Sequence, residues 1–230
     1  MGTKAWLLGC LGGLCIAATA AAAPSPQEFD TSAGNLIAVL RETADSNQVQ
    51  ETLEPFGAVE VELPDGKVVA VETSWFHFVG DMHIRLVFDS RTELQSASPE
   101  DLQRLRLEPR QALELATANL RRMYGEPVVQ PWDGRLRRIA GRADDLNSSY
   151  FIDRAFWARL ESAHPAGLVV AVPQRGGLLF APADDAEAVA TLRFSAVALY
   201  SAASRRRVSS ALYLFKDGHW SVFQPPLSAR

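Results

Sequence analysis

Four short turn sequences constrain the fold of this chain most, because each of them joins two segments with the composition of β-strands. The turns are Pro64-Asp65-Gly66, Asp133-Gly134, Pro173-Gln174-Arg175-Gly176 and Lys216-Asp217-Gly218. Connections of this length form hairpins, whereas parallel strands need a crossover of a dozen residues or more. The strands beside each turn are therefore expected to pair in antiparallel fashion.

The segments beside the turns read as strands. They are Val59 to Leu63 with Lys67 to Glu72, Val128-Val129 with Leu136 to Ile139, Leu168 to Val172 with Gly177 to Phe180, and Ala211 to Phe215 with His219 to Phe223. Two more extended segments, Trp75 to Val79 and Met82 to Phe88, are separated by a break near Gly80-Asp81. The second of these alternates, and the alternation puts Ile84, Leu86 and Phe88 on one face and His83, Arg85 and Val87 on the other.

Apolar residues at helical spacing predict the helices. They run from Pro24 to Asn47, from Ser98-Pro99 through a restart at Glu108-Pro109 to near Gly125, from Phe151 to Ser162 and from Asp184 to Ala203. Ser98 at the N-cap, Pro99 at the first helical position and acids in the first turn are a typical helix start. These patterns predict an α+β fold in which largely antiparallel hairpins pack with about four helices.

The first 23 residues have the pattern of a secretory signal peptide. A single charge at Lys4 precedes an uncharged apolar stretch, and an alanine tract ends at Ala23, before Pro24. Ala21-x-Ala23 or Ala18-x-Ala20 provides the small residues that signal peptidase requires. We therefore expect export to the periplasm or the medium, and a single domain over residues 24–230 with a possible subdomain from about residue 164.

Two other interpretations of this N-terminal segment remain open. The uncharged run is nearly long enough to be retained as a membrane anchor, and Leu7-Leu8-Gly9-Cys10 has the form of a lipidation signal. Cys10 and Cys15 are the only cysteines and both lie in the signal, so cleavage leaves a domain without disulfide or thiolate chemistry.

The charge balance argues against nucleic acid as a partner. The chain has 23 basic and 27 acidic residues, and removing Lys4 with the signal leaves 22 basic residues. Nucleic-acid recognition needs a basic face, which this mild acidity does not indicate. There is no second long apolar run, so no membrane span is expected after cleavage. We expect an unknown protein or small ligand as the partner, and no cofactor.

Candidate binding residues fall in two places. His77, Asp81 and His83 are the only cluster of ligand-like types, and they would share one face if the strand were unbroken. Because Gly80-Asp81 interrupts the strand, no metal site is predicted. Arg205, Arg206 and Arg207 follow the Asp184 helix, where cations favour the helix C-terminus. The alternative for this arginine run is an anion-binding or docking patch.

Catalytic and phosphate-binding signatures are missing from the sequence. It contains neither a Gly-x-Ser-x-Gly elbow nor a Gly-x-x-x-x-Gly-Lys loop. Arg175-Gly176-Gly177 reads as a turn between strands and lacks a helix dipole to hold an anion. Asp144-Asp145 and Asp184-Asp185 precede predicted helices, so they are interpreted as helix caps.

The chain resembles the YtpQ-like bacterial family, a domain of unknown function. The similar segments are Gly80 to Asp89, the helices from Ser98 to Arg121, Leu168 to Pro173, the acidic turn and helix near Asp184, and Leu212 to Phe215. The likeness spans roughly residues 76–223, and it implies one α+β domain without implying an activity. The export signal departs from the usual cytosolic form of the family.

Two functional hypotheses follow from the sequence. The first is a non-catalytic exported domain that binds a ligand or a protein in the bacterial cell envelope. The second is an envelope hydrolase that uses His83 with Asp81 or Asp89.

Overall fold

A computed structural model describes residues 29–90 and 92–227 of the 230-residue chain. The predicted signal peptide, with both cysteines, lies outside the described residues. The strands are β1 (Leu36–Glu42), β2 (Ala58–Glu62), β3 (Val68–Glu72), β4 (Trp75–His77), β5 (Met82–Asp89), β6 (Leu94–Ser96), β7 (Val128–Pro131), β8 (Arg137–Ala140), β9 (Leu168–Gln174), β10 (Gly177–Pro182), β11 (Leu212–Lys216) and β12 (His219–Gln224). The α-helices are α1 (Pro99–Leu105), α2 (Pro109–Tyr124), α3 (Arg154–Glu161) and α4 (Ala186–Ala202), and 3₁₀ helices cover Ala33–Asn35, Asp144–Ile152 and Ser204–Arg206.

The strands form three antiparallel sheets, which confirms the predicted α+β class. In the first sheet β5 lies between β1 and β4, and β6 also pairs with β5. The second sheet has the order β12-β11-β9-β10-β8-β7. The β2–β3 hairpin forms a separate two-stranded sheet, and most of its residues are exposed. All four predicted turns join the hairpins expected of them.

The core has two layers, one on each face of the second sheet. Alternate residues of β9, such as Leu168, Val170 and Val172, pack towards the first sheet, α2 and the buried 3₁₀ segment Asp144–Ile152. The intervening residues Val169 and Ala171 pack against α4. This alternation follows from the period of two along a strand and explains why β9 is apolar throughout.

The helix starts follow the local chemistry that the sequence predicts. Ser98 accepts a hydrogen bond from the backbone of Asp101, whose carboxylate accepts one from the backbone of Ser98, so α1 begins with a complete capping box. The α2 helix begins at Pro109 and ends before Gly125, as predicted. Asp185 is the N-cap of α4 and accepts from the N–H of Ala188.

The predicted helix from Pro24 to Asn47 is wrong. Its described part contains the strand β1, whose first five residues, Leu36 to Leu40, are all buried. A continuous apolar run of this length is typical of a strand covered on both faces, and helical periodicity cannot distinguish such a strand from a buried helix.

The region ahead of α3 also differs from the prediction. Phe151 and Ile152 belong to the 3₁₀ helix, and α3 begins at Arg154 with Asp153 as its N-cap. Asp144 and Asp145 lie inside the first turn of that 3₁₀ helix and make no side-chain cap, so their interpretation as caps is wrong. Within residues 29–90 and 92–227, the structure contains no helix with the length and apolar character to cross a bilayer.

Candidate anion-binding site

The β4–β5 hairpin brings two of the predicted site residues together. Gly80 has a φ of +62°, which reverses the chain between the strands, and the register then places His77 opposite His83. The ring of Phe56 stacks on His77 with centroids 4.4 Å apart. The structure thus places the two histidines side by side as a cross-strand pair, and the predicted break at Gly80-Asp81 is what produces this arrangement.

His83 is buried and held neutral. The Nε–H group of Arg85 donates to Nε2 of His83 over 2.8 Å, so Nδ1 carries the ring proton and donates to Thr43 Oγ1, also over 2.8 Å. Burial lowers the pKa of His83 to about 3, and the nearby Arg85, Arg41 and His77 lower it further. The imidazole ring of His83 therefore carries no charge at neutral pH.

Three arginines surround this face of the first sheet, and we call Arg41, Arg85 and Arg175 the arginine cluster. Arg41 lies opposite His83 in the β1–β5 register, and Arg85 lies two residues further along β5, so both share one face. Arg175 comes from the β9–β10 turn, where its backbone N–H donates to the carbonyl of Arg206 over 3.0 Å. Residues from three distant parts of the chain therefore concentrate positive charge at one place.

No carboxylate in the described ranges compensates the charge of the arginine cluster. Burial lowers the pKa of Arg41 to about 10, and repulsion from Arg175 and Arg85 adds to the effect. Burial and Arg175 also lower the pKa of Arg85. Among the described residues, none of the three forms an ion pair. The charged state of this site is thus disfavoured by its own surroundings.

Two buried donors in the same region also lack acceptors. The guanidinium of Arg85 lies 3.6 Å above the ring of Trp75, yet the indole Nε1 of Trp75 is buried without a hydrogen-bond partner. The Nε of Arg175 is likewise buried and unpaired. Buried polar groups nearly always have a hydrogen-bond partner in native proteins. Two unpaired N–H groups beside three cations are therefore expected to bind an acceptor.

The arginine run Arg205, Arg206 and Arg207 contributes its backbone more than its side chains. The side chain of Arg206 forms an ion pair with Asp145, and the guanidinium of Arg207 lies 5.1 Å from the ring centroid of Tyr200. The carbonyl of Arg205 accepts from the side chain of Arg175 over 3.4 Å. The run therefore holds Arg175 in place next to the first sheet.

Asp81 lies apart from the two histidines. Its carboxylate accepts hydrogen bonds from the hydroxyls of Ser209 and Tyr213, which lie in the interior. Burial raises the pKa of Asp81 to about 6 despite these two donors. Asp89 accepts instead from the hydroxyl of Tyr124.

The hydrogen bonds of His83 go to Thr43 and Arg85 and to neither of the two carboxylates proposed as its partners. In the described parts of the chain, no group of three or more His, Cys, Asp or Glu side chains is arranged to hold a metal ion.

Sequence reasoning identified His77 and His83 but missed the arginine cluster and Trp75. Trp75 reads as a core residue, and Arg175 lies in a turn that lacks a helix dipole. The available signal was an arginine at the end of one apolar run, Arg41, and another inside a second run, Arg85. Comparisons of the chain with protein-family models, curated proteins and solved structures yield no match.

Proposed function

We propose that the protein is an exported, non-catalytic binding domain of the bacterial cell envelope, and that the arginine cluster binds a carboxylate or phosphate group of a small ligand. The observation that carries the proposal is the set of three uncompensated arginines next to two buried N–H donors without acceptors. An anion removes the repulsion and satisfies the donors at the same time.

The protonation states favour binding over proton transfer. Guanidinium groups carry their charge at neutral pH, whereas His83 is neutral and both of its ring nitrogens already have partners. Guanidinium groups match the planar, two-oxygen edge of carboxylate and phosphate groups and bind it through two parallel hydrogen bonds. The site therefore provides several donors for one anion.

The anion proposal is tested by thermal unfolding in phosphate and in citrate, each against chloride at matched ionic strength. We expect both ligands to raise the unfolding temperature of the wild type, since a ligand that binds only the folded state stabilises it. Arg175→Gln removes one cation from a half-buried turn and should abolish the effect. Arg193→Gln is the matched control, because Arg193 is exposed on α4 and makes no ion pair among the described residues. An equal rise in the wild type and Arg175→Gln would refute the proposal.

Export is supported by the charge, apolar run and small residues at the N-terminus, and the resemblance to the YtpQ-like family supports a bacterial source. Intact-mass measurement of the protein from the envelope fraction tests this part. We expect a chain that begins near Pro24. A chain that begins at Cys10 and carries added acyl mass would establish a lipoprotein instead.

A further inference from the structure

A separate cleft lies between α2, the segment Glu51 to Leu53 and the start of α3. Its volume is about 420 Å³, and none of its lining residues belongs to the arginine cluster. Ligand pockets in proteins commonly enclose about 300–1,000 Å³. The cleft is therefore large enough for a small organic molecule.

The floor of the cleft is apolar. Leu53, Phe78, Leu113 and Ile152 line it. The hydroxyl of Thr117 also lies there and donates its proton to the carbonyl of Leu113 over 2.9 Å, so it can offer a ligand only its oxygen as an acceptor. A ligand for this floor needs an apolar body.

Four of the six charged lining residues are already paired with one another. Arg121 makes two hydrogen bonds to the buried carboxylate of Asp153, which also caps α3. Arg154 forms an ion pair with Glu51. These pairs neutralise each other, although the buried Oε2 of Glu51 has no hydrogen-bond partner among the described residues. Arg110 and Glu114 are the two lining residues whose charges are not neutralised by an ion pair there.

Arg110 and Glu114 lie one turn apart near the start of α2, and neither forms an ion pair within the described residues. A cation in the first turn of a helix is opposed by the helix dipole, so Arg110 destabilises α2 where it stands. Arg before Glu is also the less favourable order for a pair at this spacing. The stability of α2 therefore does not explain why Arg110 and Glu114 stand at these positions.

We propose that the cleft binds a short apolar peptide, a dipeptide with free amino and carboxyl ends. The side chains of the peptide lie on the apolar floor, its carboxylate contacts Arg110 and its ammonium contacts Glu114. Residues at this spacing on a helix have Cβ atoms about 5–6 Å apart, and two extended residues span about 7 Å. The ends of a dipeptide therefore match the two charges. A simple anion bound to Arg110 would be repelled by the nearby carboxylate of Glu114.

The test is calorimetric titration of the full chain with Leu-Leu, with N-acetyl-Leu-Leu, which lacks the ammonium, and with Leu-Leu amide, which lacks the carboxylate. We expect Arg110→Gln to weaken Leu-Leu binding by about two- to fivefold, as is usual for exposed charge pairs. The same substitution should leave binding of the amide unchanged. Glu114→Gln should weaken Leu-Leu binding and leave the acetylated peptide unaffected.

Two further variants test whether the peptide binds in this cleft. Ala118 is exposed on α2 and lines the cleft, so Ala118→Trp should fill the cleft and abolish binding without loss of the fold, which circular dichroism checks. Arg193→Gln should bind Leu-Leu like the wild type. Failure of Leu-Leu to bind at millimolar concentration would overturn the proposal. Unchanged affinity in Ala118→Trp, or equal loss for all three peptides in Arg110→Gln, would also overturn it.

Discussion

Replacing Arg41 with glutamine is expected to stabilise the protein in the absence of an anion. The pKa of Arg41 falls to about 10 in the fold, from an ordinary value above 12. A change of one in pKa corresponds to about 1.4 kcal/mol, so the charged side chain is about 3 kcal/mol less favourable in the fold than in water. Glutamine must also be desolvated, which reduces the expected gain in the free energy of unfolding to about 1–2 kcal/mol.

Phosphate should reverse this order of stability. A ligand at a hundred times its dissociation constant stabilises the folded state by about 2.7 kcal/mol, and only a site with all three arginines gains that amount. We therefore expect Arg41→Gln to be more stable than the wild type in chloride and less stable in high phosphate. Urea unfolding at matched ionic strength measures the free energy of unfolding of each protein in each salt. The dependence of that free energy on urea concentration shows whether the unfolded states of the two proteins are comparable.

Arg41→Lys serves as a charge-retaining control and should gain less stability than Arg41→Gln, because the repulsion from Arg175 remains. An Arg41→Gln protein that is less stable than the wild type in chloride would show that the charge of Arg41 does not destabilise the fold. Equal stabilisation of the two proteins by phosphate would show that phosphate does not bind at the arginine cluster.

Three further predictions concern the buried hairpin and the helix caps. Burial raises the pKa of Asp81 to about 6, so the fold favours the protonated carboxyl. The resulting contribution to the free energy of unfolding, about 3 kcal/mol, is complete below about pH 4 and is lost as the pH rises through 6. Asp81→Asn should remove this pH dependence of the free energy of unfolding, measured by urea unfolding from pH 4 to 7.5. A variant that keeps the same pH dependence would show that other groups cause it. Gly80→Ala should destabilise the protein by about 2–4 kcal/mol, because the new Cβ would lie 2.7 Å from the Tyr213 ring at a φ of +62°. Thermal unfolding measures this loss, and Gly134→Ala, at a φ of +56° with no atom within 4 Å of the new Cβ, should lose less stability in the same assay. Ser98→Ala should lose about 1 kcal/mol with the capping box, and no loss in urea unfolding would contradict that role.

The hairpins and caps were predictable because their signals are local. The turn Pro64-Asp65-Gly66 and the sequence Ser98-Pro99 each determine the geometry of a few adjacent residues. The run Leu36 to Leu40 was mistaken for part of a helix because its environment is decided by β5 on one side and α2 in the next layer, neither of which is encoded in the run itself.

The candidate site was predictable only in part for the same reason. His77 and His83 are six residues apart, and one hairpin brings them together. Arg41, Arg85 and Arg175 come close enough to repel one another only because β5 pairs with β1 and because the β9–β10 turn lies near the first sheet. No spacing rule within the sequence links residues so far apart.

Anion binding at the arginine cluster is tested most directly by a nitrogen–proton NMR titration that follows the two unpaired donors beside it, the indole Nε1–H of Trp75 and the Nε–H of Arg175. Trp75→Phe and Arg175→Gln assign the two signals. We predict that phosphate or citrate shifts both signals in a saturable manner, while chloride at the same ionic strength does not. Signals that stay in place, or that move equally with chloride, would show that these two donors bind no specific anion.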